Sequence, residues 1–396
     1  MGALLLLPLS LISGGQAWVI NGDSLGYADL STGYVEQGAL PLATYPNDLL
    51  NHAGYLWVVS SGSDSETLQR IDTATMEVTS IGIGTGYNCW SAVELDGQHI
   101  AVSAALSDRI VIVNTASMSV ETEIEGVGPN PEGMCLLGDS LWVACGGWGS
   151  DDNLVVVDMD AEAPVDTVEV AANCQSVAWD GDDELFVVCS GAYGAGEGSI
   201  SVVDPTTAEE TACLPVGGFP STVAVRGDSV YAGDGWGPGV YMVDTKTHQV
   251  LHDSSDPACS GGNGMDTGGS GGLFVSDPLG GALTVYDASM QQLAEYAFNS
   301  PSAVAVSGAL TGVPGGAPSA PASLTVTPCP AAAAARLTGA RPEQSALVLD
   351  LAGRVVRQTA TDSHGQAALD LTGLRSGVYL VRSGRASARL VVLEAY

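Results

Sequence analysis

Three glycine-rich segments each carry one aromatic side chain beside carboxylates or turn residues: GGWGSDDN with Trp148, SGAYGAGEG with Tyr193 and GDGWGPG with Trp236. Aromatic rings stack on sugar and peptide faces and attract cations through their negative π surface. A set of this kind points to a glycan, peptide or cationic ligand. The competing reading is that each ring folds back over its own scaffold, since large exposed aromatics are uncommon without cause.

Residues for bond-making chemistry are sparse. The five histidines, His52, His99, His248, His252 and His364, are scattered, and no C-x-x-C-H, H-E-x-x-H or G-x-S-x-G motif is present. A multi-histidine metal centre, covalent haem and a nucleophile elbow therefore lack their residues. No catalytic residue, metal or cofactor is assigned. Asp151-Asp152 and Asp180-Gly181-Asp182-Asp183-Glu184 offer the oxygen ligands that hard cations take. Neither has EF-hand spacing, and the second reads as a strand-connecting turn, where Asp and Gly are expected. Of the eight cysteines, Cys174 and Cys189 bracket that turn. They would lie almost opposite each other in a hairpin, so they are the expected disulfide pair if the chain is exported.

The elements that must position these side chains follow from an internal repeat. A short apolar run ends in Asp or Asn, followed by Thr- and Ser-rich residues and another apolar run. The anchors are Asp29, Asp72, Asn114, Asp158, Asp204, Asp244 and Asp287, spaced by 43, 42, 44, 46, 40 and 43 residues. Between anchors come a start that often contains proline (Pro46, Pro131, Pro220, Pro301), an apolar strand, a Gly/Asp turn and a second strand such as YLWVV or SLWVA. Four short strands per unit at this period predict the blades of a β-propeller. A turn residue that satisfies backbone groups is needed in every blade, so the recurring anchors read as structural. The chain opens on the later strands of one unit, and residues 301–308 supply a lone first strand. Together they predict a seventh blade that closes the ring and removes the exposed edges an open arc would leave.

Aligning the repeats puts Trp90, Glu132, Gln175, Ser221 and Ser302 near the starts of inner strands. Asn21, Ser60, Ala104, Cys145, Cys189, Asp234 and Asp277 fall at the ends of second strands. Both sets are expected to ring the channel mouth. The candidate ligand site is therefore Trp90, Glu132, Trp148, Gln175, Tyr193, Asp234, Trp236 and Asp277.

The repeat, with its apolar-aromatic strand and motifs such as VVDPTTAEET and MVDTKTHQV, resembles the YVTN-type, YncE-like seven-bladed propellers over roughly residues 18–308. The resemblance implies the fold more than any activity, because that superfamily hosts many functions. A non-catalytic binding or scaffold module is the leading expectation. The alternative is a propeller enzyme, a lyase, lactonase or quinoprotein, working at the channel mouth around Glu132, Gln175, Asp234 and Asp277.

Residues 309–322 are dense in Gly, Pro, Ala and Ser, a linker composition. After them LVLDLAGRVV, ALDLTGLRSGVYLVR and ARLVVLEAY alternate and turn like a small Ig-like β-sandwich over 323–396. Their spacing resembles the type A C-terminal sorting domain of the type IX secretion system, although Pro328-Cys329-Pro330 and Arg389 stand where members usually carry Pro-Asn-Pro and a lysine. That resemblance implies export, engagement of the secretion machinery and a place outside the cell or on its outer surface. An Ig-like stalk without sorting activity is the plainer reading.

Charge separates the same two pieces. Before residue 323 only Arg70, Arg109, Arg226 and Lys246 face 40 acidic residues, whereas from 323 onward eight arginines outnumber five acids. So acidic a body repels polyphosphate, which excludes nucleic acid as a partner and disfavours anionic membranes. Residues 1–17, MGALLLLPLSLISGGQA, have the apolar run and small residues of a signal peptide cleaved before Trp18, without a basic residue ahead of the run. No segment is long and apolar enough for a spanning helix.

Overall fold

The structure, a computed structural model, describes residues 15–62, 67–268, 272–307, 325–327, 334–338, 345–349, 355–362, 366–383 and 386–392. The first fourteen residues of the expected signal peptide, the expected linker and Pro328-Cys329-Pro330 lie outside them. Two compact units divide the chain between residues 317 and 318.

The first unit is a seven-bladed β-propeller. Each blade is a four-stranded antiparallel sheet. Blade 1 takes its inner strand, Pro301–Ser307, from the far end of the chain and continues through Gln16–Asn21, Ser24–Asp29 and Val35–Pro41. The inner strands of blades 2 to 7 are Pro46–His52, Cys89–Asp96, Pro131–Leu137, Cys174–Trp179, Thr222–Arg226 and Met265–Asp266. Each of them is followed outward by its blade's remaining three strands.

No single core exists. Seven apolar wedges fill the spaces between neighbouring blades, so the two middle strands of each blade are buried on both faces and read as near-continuous apolar runs, while the outer strands stay largely exposed. Blade 1 shows how one strand serves two wedges. Trp18 and Ile20 pack with Leu49, Leu56 and Val58 of blade 2, while Ala17 and Val19 pack with Phe274, Leu283 and Val285 of blade 7. Pairing of Trp18 with Ala305 and of Ala17 with Val306 closes the circle.

The anchors act as turn residues. Oδ1 of Asp72 accepts the backbone N–H groups of Ala74 and Thr75 at 2.9 and 3.1 Å, and Asn114 does the same for Ala116 and Ser117. These bonds to the ionised form hold the Asp72 carboxyl below its usual range. Four residues after Asp72 and Asn114, Met76 and Met118 take the left-handed conformation that lets the chain reverse.

The strand of blade 1 begins at Gln16, two residues before the expected cleavage point. Ala17 is fully buried, and Gly15 O accepts from Leu30 N at 3.0 Å.

The second unit has seven strands among the described residues, in a three-stranded sheet (Thr325–Thr327, Ala334–Thr338, Ala367–Asp370) and a four-stranded one (Val355–Ala360, Ser345–Leu349, Gly377–Ser383, Ala386–Val392). Leu337, Leu369, Val348, Val381 and Leu390, drawn from both sheets, share one core.

A chain starting at Trp18 should be less stable than one starting at Gln16 by about 1–3 kcal/mol, because it loses a buried methyl and two rungs of the closing ladder. Comparison of the two melting temperatures checks this, and equal values would mean that the extra rungs contribute nothing.

Candidate functional site

The connections from second to third strands and those from each outer strand to the next inner strand emerge on one face, here termed the loop face. The other two sets of turns form the turn face. At the centre of the loop side the inner strands line a polar bowl of about 240 Å³, open to solvent, whose wall includes Asn47, Asp48, Trp90, Gln175, Ser221 and Asn263.

Close approach of the inner strands fixes that wall. A Cβ on Gly133 would lie 2.6 Å from Ser176 Cα, so only glycine lets blades 4 and 5 meet there. Short polar side chains stitch the ring: Asn47 Nδ2 donates to Cys89 O (2.8 Å), Ser176 Oγ to Ser221 O (3.0 Å) and Thr222 Oγ1 to Gly262 O (2.7 Å). Asp48 accepts from Ser91 Oγ (2.8 Å) and Ala92 N (3.0 Å), and burial raises its carboxyl.

Of the expected ring residues, Trp90, Gln175 and Ser221 line the bowl. The second-strand set does not. Asn21, Ser60, Ala104, Cys145, Cys189 and Asp234 are buried one strand farther from the axis, where they meet neighbouring strands instead of the channel. Asp234 Oδ2 accepts from Phe219 N (2.8 Å) and Tyr241 Oη (2.7 Å), and Asp277 Oδ1 caps its own turn through Gly280 N (2.7 Å). The grouping of Glu132, Gln175, Asp234 and Asp277 considered for an enzyme is therefore not assembled as one constellation. Glu132 and Gln175 do adjoin. Asn130 Nδ2 donates to Glu132 Oε1 at 2.6 Å, and burial outweighs that bond and the neighbouring Gln175, pushing the carboxyl up to about 7.

Trp148, Tyr193 and Trp236 do not fold back over their blades. They are 63%, 97% and 79% exposed. Trp148 also has φ 59° and ψ 36°, a left-handed conformation that a bulky residue adopts at a cost of about 1–2 kcal/mol. Three further aromatics on the same face are exposed, Tyr45, Trp90 and Phe219, and of these Trp90 lines the bowl. Trp90 came from repeat alignment, whereas Tyr45 and Phe219 did not. Asn47 and Asn263 were also missed, although they hold the repeat position of Trp90 and the 43-residue period would have found them.

Cys174 and Cys189 are opposed in register, but both are free thiols. Cys174 Sγ turns to Asn153 O of the preceding blade (3.2 Å), and Cys189 Sγ turns to Val187 O (3.6 Å) and toward Ser201 Oγ (4.0 Å). Opposed backbones thus carry side chains that point to different neighbours. Burial pushes the Cys174 thiol up to about 12 and that of Cys189 well above its ordinary value. Neither is a ready nucleophile.

On the turn face, Asp180, Asp183 and Glu184 bring carboxylate oxygens within 4.8 Å of one another. Asp180 Oδ1 accepts three backbone N–H groups, from Asp182, Asp183 and Glu184. Lys246 lies 3.0 Å from Asp182 and 3.8 Å from Asp180, and His248 Nε2 lies 2.7 Å from Glu184. The cluster caps a turn and already holds the chain's one lysine.

Fold and surface together define a propeller with a polar bowl and exposed aromatics on one face. Comparison with family profiles and with curated proteins finds no match. Solved structures match in fold. A Bacteroides uniformis protein provisionally called a 6-phosphogluconolactonase superposes with a TM-score of 0.57 at 12% identity, over 74% of this chain and 99% of that one. A Desulfotomaculum acetoxidans protein of unknown function gives 0.56 at 14%, with the same coverage. PorZ, a surface component of the type IX secretion system of Porphyromonas gingivalis, gives 0.47 at 16% over 96% of this chain and 64% of that one, a score too low to carry an argument.

The raised Glu132 carboxyl has a consequence for stability. The folded state retains this proton above the ordinary glutamate value, so the contribution is present at low pH and is lost as pH rises to about 7. Glu132→Gln should therefore leave stability nearly unchanged at pH 4 and raise it by about 3 kcal/mol at pH 8. Denaturant melts at the two pH values check it, and an equal effect at both would show that Glu132 keeps its proton equally well in both states.

Proposed function

We propose that the protein is an exported binding module whose ligand docks on the loop face around the bowl. The observation that carries this reading is the distribution of exposed aromatics. Of the seven among the described residues of the propeller, Tyr45, Trp90, Trp148, Tyr193, Phe219 and Trp236 lie on the loop face and Tyr34 on the turn face. Solvent exposure of rings this large, two of them (Tyr45 and Trp148) on left-handed backbone, gives the fold nothing and fits a surface that a partner covers. A glycan, a peptide or another protein is the ligand class that such rings serve.

Export rests on the leader-like opening and on the resemblance of residues 323–396 to a type A sorting domain. In that role the second unit engages the secretion machinery and delivers the propeller to the cell surface or the medium. In a host carrying the type IX apparatus, the full chain is expected outside the outer membrane and a chain ending at residue 317 inside it. Equal export of both would leave the second unit as a stalk.

Binding is tested by a thermal-shift screen of the full chain against soluble glycans, peptides, divalent metals and quinone cofactors. Native-state binding raises the melting temperature with ligand concentration, by about 2.7 kcal/mol of stability at a hundredfold excess over Kd. A response abolished by Trp148→Ala or Trp236→Ala is expected. A response that ignores both substitutions would move the site off this face.

A further inference from the structure

Resting on the binding reading above, we infer that the ligand of the loop face is a cationic polypeptide segment, rich in lysine or arginine. The loops that carry the aromatics adjoin from blade to blade. Gly149, beside Trp148, packs against Asn173 and Tyr193, and a Cβ there would lie 3.9 Å from Tyr193 Cβ. Gly196 in the Tyr193 loop packs against the Phe219 ring, 4.0 Å from the same kind of position. Phe219 N donates to Asp234, whose carbonyl accepts from Gly237 N at 3.1 Å, directly beside Trp236. Blades 4, 5 and 6 thus set their aromatic-bearing loops side by side along one strip of the loop face, with Trp90 of blade 3 at the bowl.

The sign of the charge along this strip is uniform. Residues 16–307 contain four Lys or Arg in all. Arg226 and Lys246 lie at the turn-face ends of their strands, and Arg70 lies near that end, stacked on Tyr55. Arg109 is the one basic side chain at the loop face, and it is held by Glu123 (2.6 Å) and Glu125 (3.4 Å). The aromatic-bearing loops themselves carry Asp151, Asp152 and Glu197. Beneath the strip, two buried carboxyl groups each keep one oxygen without a hydrogen-bond partner among the described residues: Asp234 Oδ1 and Glu132 Oε2.

Rings flanked by carboxylates, on a propeller face whose own described arginine is already paired, make the surroundings that guanidinium and ammonium groups favour, through cation–π contact and charge-assisted hydrogen bonds. A neutral glycan would use the rings and leave the charge unused. A single small cation would cover one ring, whereas the strip spans three blades and leads to a bowl. A basic polypeptide segment uses all of it.

The test is fluorescence-detected binding of an alternating Arg-Gly peptide to the full chain, against a Glu-Gly peptide and cellohexaose, in low and high salt. The expected result is binding of the Arg-Gly peptide that persists in part at about 1 M salt, where the Debye length is about 3 Å. The double variant Trp148→Ala/Trp236→Ala should weaken it about tenfold. Tyr34→Ala, on the turn face, should leave it unchanged, and Trp148→Phe/Trp236→Phe should restore most of it. Arg-Gly binding that vanishes at high salt and ignores the tryptophans would reflect the general acidity of the propeller and would overturn the inference. Cellohexaose binding through the same tryptophans, without peptide binding, would also overturn it while leaving the binding role of the face intact. Silence from all three probes, joined to a negative thermal-shift screen, would remove both.

Discussion

Everything in the propeller depends on the pairing of Pro301–Ser307 with Gln16–Asn21. Seven interblade wedges are all equivalent in kind, yet two of them, on either side of blade 1, exist only when the chain ends meet. Bringing together residues nearly 300 positions apart costs about 5 kcal/mol in loop-closure entropy. Burial of Trp18, Ile20, Ala17 and Val19 on alternate faces of the same strand offsets it. Closure also removes the two exposed sheet edges that an open arc would offer to another chain.

A closed ring forces the inner strands together, and that crowding decides what the centre can be. Near the axis, Gly133 and Gly264 leave no room for a side chain, and Ser176, Thr222 and Asn47 spend their polar atoms on the neighbouring blade. The wall is thus committed to holding itself closed. Side chains free to meet a partner are left on the rim, where the connections are long and rich in glycine. Trp148, Tyr193 and Trp236 stand there, outside the wedges and exposed.

The sequence made the architecture readable because each blade repeats the same local problem. An Asp or Asn whose carboxylate or amide satisfies two backbone N–H groups is needed at every outer turn, so seven copies appear at one period. Distance from the axis leaves no such mark. Asp234 and Cys145 share a level with the bowl but sit one strand out, which alignment of repeats cannot distinguish. Tyr45 escaped notice because its equivalents, Asn88, Asn130 and Asn173, are polar residues suited to the left-handed backbone that all four adopt. The opposition of Cys174 and Cys189 was legible from the hairpin, whereas the direction of each thiol depends on neighbours outside it. The start of blade 1 at Gln16 is set by pairing with Ser307, a partner that no local pattern names.

The repeated sequence unit and the blade are out of phase by one strand, since blade 1 takes its inner strand from the opposite end of the propeller. A gene that gained or lost one 43-residue segment within the ring would keep the closing pair intact, because neither Gln16–Asn21 nor Pro301–Ser307 would be altered. Each new protein would differ in blade number and in the bore of its bowl while inheriting the same clasp. Offset closure thereby uncouples the size of the ring from the means of shutting it, and makes the lineage tolerant of unequal recombination between its own repeats.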